Sequence, residues 1–355
     1  MNTSQINAVD DTAKEIVHEL LSPDAILGLG FGFWGSKTLL SAIELGVFQA
    51  LADGPLGAEE LRKALGIHSR SAVDFFDALV ALGMLRRDAA GYRNTPETGL
   101  FLDPAKPSYV GGILEMSNQR LYGFWNSLTE ALRTSEPQNE IKSGGRNYFA
   151  DIYAEPGPLR SFLTGMSGIS TGASVALADA FPWDSHQRFC DLGTAQGMAP
   201  AKIAQRHPHL TGTGFDLPPV GPVFEEFIAA QGLGDRVSFA GGDFFTDPLP
   251  EADVYLMGHI LHNWALPERQ TLLRRVYDAL PDGGALIVYD ALIDDERRSN
   301  AFGLLMSLNM LIETPAGAGY TAADCQAWMS TAGFRDSYVR PLTGPDYMIV
   351  GLKQE

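Results

Sequence analysis

Hydrophobic positions along this chain repeat with two different periods, and the change between them divides the sequence. In the first hundred residues they recur every three to four positions, as on one face of a helix. Residues 12–21 follow this pattern, and so do residues 34–51, with apolar side chains at Leu39, Leu40, Ile43, Leu45, Val47 and Phe48. Between them Gly28, Gly30, Gly32 and Gly35 interrupt an apolar stretch holding Phe31, Phe33 and Trp34. Small residues let another backbone approach closely, so the stretch reads either as a chain–chain contact or as a helix packed within its own domain. Residues 58–65 read as a short helix, Gly66 as a turn, and residues 69–82 as a second helix capped by Ser69 or Ser71. Residues 84–88, a turn at 89–91 and residues 92–95 then read as a two-stranded wing. Helix, turn, helix, wing is the winged-helix arrangement. A DNA reader would place basic or amide side chains on the second helix. Here it carries Asp74 and Asp77 among Phe75, Phe76, Leu79 and Val80, so a structural or dimerising unit is expected.

Residues 105–180 stay helical but irregular, rich in Gly, Ser and aromatics, and read as a linker and lid. From Gln187 onward short apolar runs alternate with helical ones. Strands are predicted at residues 188–192, 211–216, 237–241, 254–257 and 285–289, with helices at 199–206, 223–231 and 267–279. Such alternation argues an α/β fold with a parallel, doubly wound sheet. Residues 336–340 and 347–352 read as a terminal hairpin around Gly344-Pro345. Three regions follow: 1–104, 105–180 and 181–355.

Composition narrows the function classes. The chain has 355 residues, 45% hydrophobic and 19% charged, and a formal net charge of −17. Such a surface repels a phosphate backbone unless a basic patch is concentrated somewhere. Arg86-Arg87, Arg274-Arg275 and Arg297-Arg298 are isolated pairs, so no nucleic-acid partner is expected. No run of about 18 consecutive apolar residues marks a membrane span, and residues 1–15 are polar and acidic, without a signal pattern. Two cysteines in unlike contexts, Cys190 and Cys325, argue against a disulfide framework and for a reducing cytoplasm.

The candidate chemistry lies at the ends of the strands, where an open parallel sheet binds its ligand. The first strand ends in Asp191-Leu192-Gly193, followed by Gly197 and a helix. The glycines let a ligand approach the backbone, although the G-x-G-x-x-G spacing of a dinucleotide site is missing. The second strand ends at Asp216-Leu217, 25 residues after Asp191, and an acid there can accept both hydroxyls of a ribose. The third ends at Asp243-Phe244, where Asp243 can receive a polar edge of adenine and Phe244 can lie along its ring. The fourth is followed by Gly258-His259-Ile260-Leu261-His262-Asn263-Trp264, and residues 280–284 form a tight turn before the fifth.

This ordered set resembles the class I methyltransferases, and more narrowly the small-molecule O-methyltransferases that include plant caffeate and flavonoid enzymes, acetylserotonin methyltransferase and bacterial antibiotic-tailoring enzymes. The similarity spans nearly the whole chain, and its most specific element is Leu261-His262-Asn263-Trp264 in the place of that family's His-Asp-Trp. The resemblance implies a homodimer formed through a winged-helix domain, S-adenosylmethionine as cofactor and a small-molecule methyl acceptor. The cofactor residues are then Asp191, Gly193, Gly197, Asp216, Leu217, Asp243, Phe244 and Gly258. His262 matches the general base and Asp290 one of the two acids that accompany it. The other acid belongs to a Gly-Gly-x-Glu-x-Thr segment, and here Gly319 stands in its place; Asn263 likewise replaces an aspartate. Glu313 falls at a position that is not catalytic in the family. Trp125, Phe162, Met166, His259, Met306, Asn309 and Met310 are implied as acceptor walls, and Gly28 to Trp34 as a closure of the partner's pocket. The expected reaction is methylation of a hydroxyl on a small aromatic or polyketide-like molecule, with no metal. Carbon or nitrogen methylation, metal-assisted methylation of a keto acid using His259, His262 and Asp290, a non-methylating homologue and a ligand-sensing regulator are the alternatives.

Overall fold

The computed structural model describes residues 21–106, 108–143 and 152–354. The helix expected at residues 12–21 lies outside them except for Leu21. The chain divides into two compact units, residues 1–104 and 105–355.

The first unit is mainly helical, with helices Asp24–Gly30, Gly32–Glu44, Val47–Ala50, Ala58–Ala64, Ala72–Ala81 and Pro96–Phe101 and strands β1 (Leu85–Asp88) and β2 (Gly91–Asn94). The single helix expected over 34–51 is broken at Gly46, whose φ of 73° is left-handed and disfavours a side chain. The second helix of the winged motif starts at Ala72 with Ser71 at its N-cap, but that side chain makes no capping bond, so neither expected serine cap forms. The wing pairs Leu85 with Asn94 through to Asp88 with Gly91. Leu56 adds a bridge to Tyr92 from the other side, a contact that no local pattern signals. Tyr92 donates to Asp77 at 2.8 Å, and Arg87 pairs with the same carboxylate. Asp77 therefore joins helix to wing. At the start of the unit Ile26, Leu29 and Trp34 are 76%, 85% and 60% exposed, and a Cβ on Gly28, Gly30 or Gly32 would meet nothing within 4 Å. Of the two readings of this stretch, these residues favour the chain–chain contact, while Gly35, whose Cβ would stand 3.6 Å from Leu82, packs within its own unit. Asp24–Glu44 is long and apolar enough, by length and composition, to cross a membrane, with a mean hydropathy of 1.3, although the chain is interrupted at Phe31.

The second unit is a seven-stranded sheet of order β5-β4-β3-β6-β7-β9-β8. Its strands are β3 (Arg188–Leu192), β4 (Thr211–Asp216), β5 (Val237–Gly241), β6 (Val254–Gly258), β7 (Ala285–Ala291), β8 (Arg335–Pro341) and β9 (Asp346–Leu352). The five strands from β3 to β7 run parallel, as expected, and the terminal hairpin adds β9 antiparallel to β7. Alternate residues serve opposite faces. Tyr255, Met257, Leu286 and Val288 pack with Leu272, Leu273 and Val276 of helix Leu266–Ala279. Val254, Leu256, Ala285 and Ile287 pack with Ala173 and Leu177 of helix Pro156–Ala180 and Ile203 of helix Met198–Arg206. Burial on both faces explains why these strands read as continuous apolar runs rather than alternating ones. Strand order reverses at β3, between β4 and β6, which opens a crevice at the carboxyl ends of the strands.

Candidate active site

That crevice is a cavity of about 1670 Å³, larger than a single small molecule needs and sufficient for a nucleoside cofactor beside an acceptor. Along one side it is walled by backbone. Gly193 and Ala195 both have positive φ, 73° and 51°, so the chain after β3 curls tightly around the crevice. Asp216 at the end of β4 accepts from the Ala195 N–H at 2.9 Å through Oδ2 and from the Leu217 N–H at 2.8 Å through Oδ1. One carboxylate thus fixes two loops and also takes a side-chain bond from Tyr153, which leaves it acceptor capacity for one ligand donor. Burial pushes the Asp191 carboxyl up to about 7 and the Asp216 carboxyl up to about 6. At the end of β5, Asp243 accepts from the Phe245 N–H at 2.8 Å, and Phe244 meets Trp264 edge-on with ring centres 6.2 Å apart.

Of the expected cofactor residues, Asp191, Gly193, Asp216, Leu217, Asp243, Phe244 and Gly258 all line the cavity. Gly197 does not. It sits at the N-cap of helix Met198–Arg206 with φ 92°, and a Cβ there would stand 2.7 Å from the Phe224 ring, so the glycine serves helix packing. At Gly258 a Cβ would collide with the Tyr289 ring, which is why the strand end stays bare at the crevice.

The chemistry-bearing side chains come from β6 and β7. His262 lies in a tight turn, Leu261–Asn263, after β6, and Asp290 lies buried near the end of β7. His262 Nδ1 is 2.8 Å from Asp290 Oδ1, which also accepts from the Ala291 N–H, while Oδ2 accepts from the Tyr320 hydroxyl at 3.0 Å. With Nδ1–H given to the carboxylate, the imidazole carries its lone pair on Nε2. His262 lines the cavity; Asp290 stands behind it. His259 adopts a left-handed φ of 55°, with Nδ1 3.4 Å from Asp290 and Nε2 4.0 Å from Asp346. Burial opposes charge on His259, but Asp290 and Asp346 outweigh it and hold its pKa above the usual imidazole value. Burial likewise opposes ionisation of Asp290, and the two histidines outweigh it, keeping this carboxyl well below the usual range. One ligand atom from each of His259, His262 and Asp290 lies within 4.8 Å of the others, close enough for a shared ion.

Two departures from the motif acquire a physical reading. Asn263 Nδ2 donates to the His259 and Ile260 carbonyls at 3.0 and 3.3 Å, locking the turn that carries His262. A Cβ at Gly319 would stand 2.9 Å from Ser307 Cβ and 3.0 Å from Ile293 Cδ1, so the position of the family's glutamate is filled by neighbours. Tyr320, the next residue, supplies the second support of Asp290 instead. Sequence reasoning missed Tyr320, because a tyrosine beside a glycine in a loop carries no local signal.

The opposite side of the cavity is built from helices. Trp125, Phe162, Met166, Met306, Asn309 and Met310 line it, and His259, expected with them, lines the cavity from the sheet side, after β6. Trp125 Nε1 donates to Asn309 at 2.9 Å, holding two segments 184 residues apart. Glu313, set aside on sequence, lines the cavity too. Its Oε2 accepts from Arg120 at 2.6 Å, and Arg120 also holds Glu140 through two bonds of 2.6 and 2.7 Å.

Residues 125–335 match the profile of the O-methyltransferase domain, and residues 27–104 that of the O-methyltransferase dimerisation domain. The chain belongs to the O-methyltransferase family. A tetracenomycin polyketide synthesis 8-O-methyl transferase of Streptomyces glaucescens is 47% identical over 93% of this chain and 97% of its own length. An N,N-dimethyltransferase of Streptomyces rimosus is 37% identical over 93% and 96%. The crystal structure of human N-acetylserotonin methyltransferase in complex with S-adenosylmethionine superposes with a TM-score of 0.86 at 29% identity, covering 93% of this chain and 97% of that one. The family member described here is therefore an S-adenosylmethionine-dependent methyltransferase of the class I α/β fold. Its own residues suit that cofactor: a buried strand-end carboxylate with spare acceptor capacity for a hydroxyl, and a strand end at Gly258 where any side chain would collide.

Proposed function

We propose that the enzyme methylates a hydroxyl group on a small aromatic or polyketide-like acceptor, with His262 as general base. The observation that carries this is the 2.8 Å bond from His262 Nδ1 to Asp290, which leaves Nε2 as the basic atom of a ring that lines the cavity. When bound, S-adenosylmethionine supplies a methyl group already made electrophilic by its sulfonium, so the protein's part is alignment and proton removal. Asp216 accepts a hydroxyl, Asp243 and Phe244 flank the base, and Asp191, Gly193, Leu217 and Gly258 shape the rest of that wall. His262 takes the acceptor's proton on Nε2 as the oxygen gains its methyl group, and Asp290, itself held by Tyr320, stabilises the imidazolium. The Met and aromatic side chains of the helical wall, with the Trp125–Asn309 pair, favour a flat apolar acceptor. The 8-O-methyl transferase relative supports a polyketide-like molecule.

The protein acts as a cytoplasmic homodimer through residues 1–104, residues 105–180 close the acceptor side, and residues 181–355 hold the cofactor. The exposed apolar helices at Asp24–Glu44, which lie within the matched dimerisation profile from residue 27 onward, support the dimer, and two buried free thiols support a reducing compartment. Neither a membrane nor a nucleic acid is a partner in this reading.

A second reading, methylation of nitrogen, is favoured by the N,N-dimethyltransferase relative and by the filled site at Gly319. Calorimetry with S-adenosylmethionine and S-adenosylhomocysteine, followed by mass spectrometry on matched panels of phenols, naphthols and aromatic amines, separates the two. Methylated phenols are expected. Products from the amines alone would transfer the reaction to nitrogen, and no cofactor binding would remove both.

A further inference from the structure

The acceptor side of the cavity is largely apolar, and one of its wall helices, Ala301–Glu313, ends there in a carboxylate. On helix Ala301–Glu313 the residues Met306, Asn309, Met310 and Glu313 stand at i, i+3, i+4 and i+7, one face of the helix, and all four line the cavity. Glu313 closes that face about 10 Å along the axis from Met306, given a rise of 1.5 Å per residue. A carboxylate in the last turn of a helix is opposed by the helix dipole, and this one is only 7% exposed. Its Oε2 is held by Arg120, whose other nitrogens are engaged with Glu140. The Glu313 carbonyl accepts from Asn139 Nδ2 at 2.7 Å, so its backbone is pinned as well. Among the described residues Oε1 is buried with no hydrogen-bond partner. Buried polar atoms are nearly always satisfied, and because Glu313 also lines a ligand cavity the missing partner points to the ligand.

We propose that Glu313 is a polar anchor of the acceptor subsite: Oε1 accepts a hydrogen bond from a second hydroxyl of the acceptor, at the end remote from the hydroxyl that is methylated. The inference rests on the hydroxyl-methylating reading above. Arg120 is shared between Glu313 and Glu140, so Oε1 is left as an acceptor for a donor that the described residues do not supply. The substrate class becomes a multi-ring phenol carrying hydroxyls at both ends.

The test is a titration of two flat probes, 2,6-dihydroxyanthraquinone and 2-hydroxyanthraquinone, into the S-adenosylhomocysteine complex of the wild type, Glu313→Gln and Glu313→Leu. A site built to bind a hydroxyl discriminates strongly against the analogue that lacks it. The wild type is expected to prefer the dihydroxy probe by tenfold or more. Glu313→Leu should bring the ratio close to one, and Glu313→Gln, which keeps a carbonyl oxygen, should fall between. Unchanged S-adenosylhomocysteine affinity in both variants confirms that the fold is retained. A ratio that is the same in wild type and Glu313→Leu, or no preference in the wild type, including binding of neither probe, overturns the anchor. Methylation of a phenol panel is scored separately. A wild type that methylates phenols without preferring the dihydroxy probe removes the anchor alone, whereas absence of any methylated phenol removes the functional reading.

Discussion

The two sides of the cavity are made in different ways. The cofactor side is backbone: strand ends, loops with positive φ at Gly193 and Ala195, and a carboxylate at Asp216 that fixes two of those loops. The acceptor side is side chain: Trp125, Met166, Met306, Met310 and Glu313 standing on helices. Backbone geometry follows from sheet topology and cannot change without disturbing the fold. Side chains on a helix face can be exchanged almost freely. One scaffold can therefore keep a single cofactor while its acceptor changes, which suits relatives named for an 8-O-methylation and an N,N-dimethylation. His262 and Asp290 sit on the seam, carried by the sheet but facing the helices.

Each side can be broken separately. The largest effect is expected at the seam: His262→Gln should lower kcat by about 10²–10⁴-fold, the usual worth of a general base, with S-adenosylhomocysteine affinity unchanged. Stopped assays and calorimetry on one preparation check it, and undiminished turnover would remove the base. Next, Asp216→Asn should weaken cofactor binding about 10- to 100-fold, because charge-assisted hydrogen bonds contribute roughly 1.5–3 kcal/mol, while kcat at saturating cofactor stays near wild type. A comparable fall in kcat would mean that the two sides are not separable.

A pH series sharpens the same point. In the free protein the Asp216 carboxyl is raised to about 6 by burial, and a hydroxyl donor binds its charged form. Binding therefore releases a proton below that value. Affinity should be level above about pH 7 and fall as pH drops through 6, by up to about tenfold per unit, with the slope reduced in Asp216→Asn. For the fold itself the sign is opposite: a raised carboxyl adds stability below the unfolded pKa of about 3.9 that is lost as pH rises through about 6. The smallest effect is expected at Phe244→Leu, which keeps apolar area but removes a flat ring. A loss of about 0.5–1.5 kcal/mol, a few-fold in affinity, should appear for the cofactor alone.

The same division decides what could be read from the sequence. The five parallel strands and their order-setting helices were legible because strands buried on both faces are continuous apolar runs ended by Asp or Gly. The cofactor wall followed, since Asp216 and Asp243 are marked by their place at strand ends. Gly197 falls outside the cavity lining, and the sequence does not signal this because a glycine that admits the Phe224 ring and one that admits a ligand look alike in a loop. On the acceptor side Met306, Asn309 and Met310 came from resemblance joined to helical spacing. Glu313 continues that spacing without a local signal, because its partner Arg120 lies 193 residues away in the chain. Tyr320 was invisible for the same reason: its value lies in reaching Asp290, 30 residues distant.

The filled space at Gly319 has a consequence for how this enzyme can change. Restoring the family's second acid would force Ser307 and Ile293 to give way, since a Cβ there would stand 2.9 Å and 3.0 Å from them, and Ser307 Oγ now receives the Gly319 N–H at 2.9 Å. Each single step passes through a variant that is overpacked or hollow, at about 1–3 kcal/mol. The histidine with one carboxylate and a tyrosine is thus a local optimum with steep sides, and new acceptors would be reached by exchanging helix side chains around it rather than by rebuilding the base.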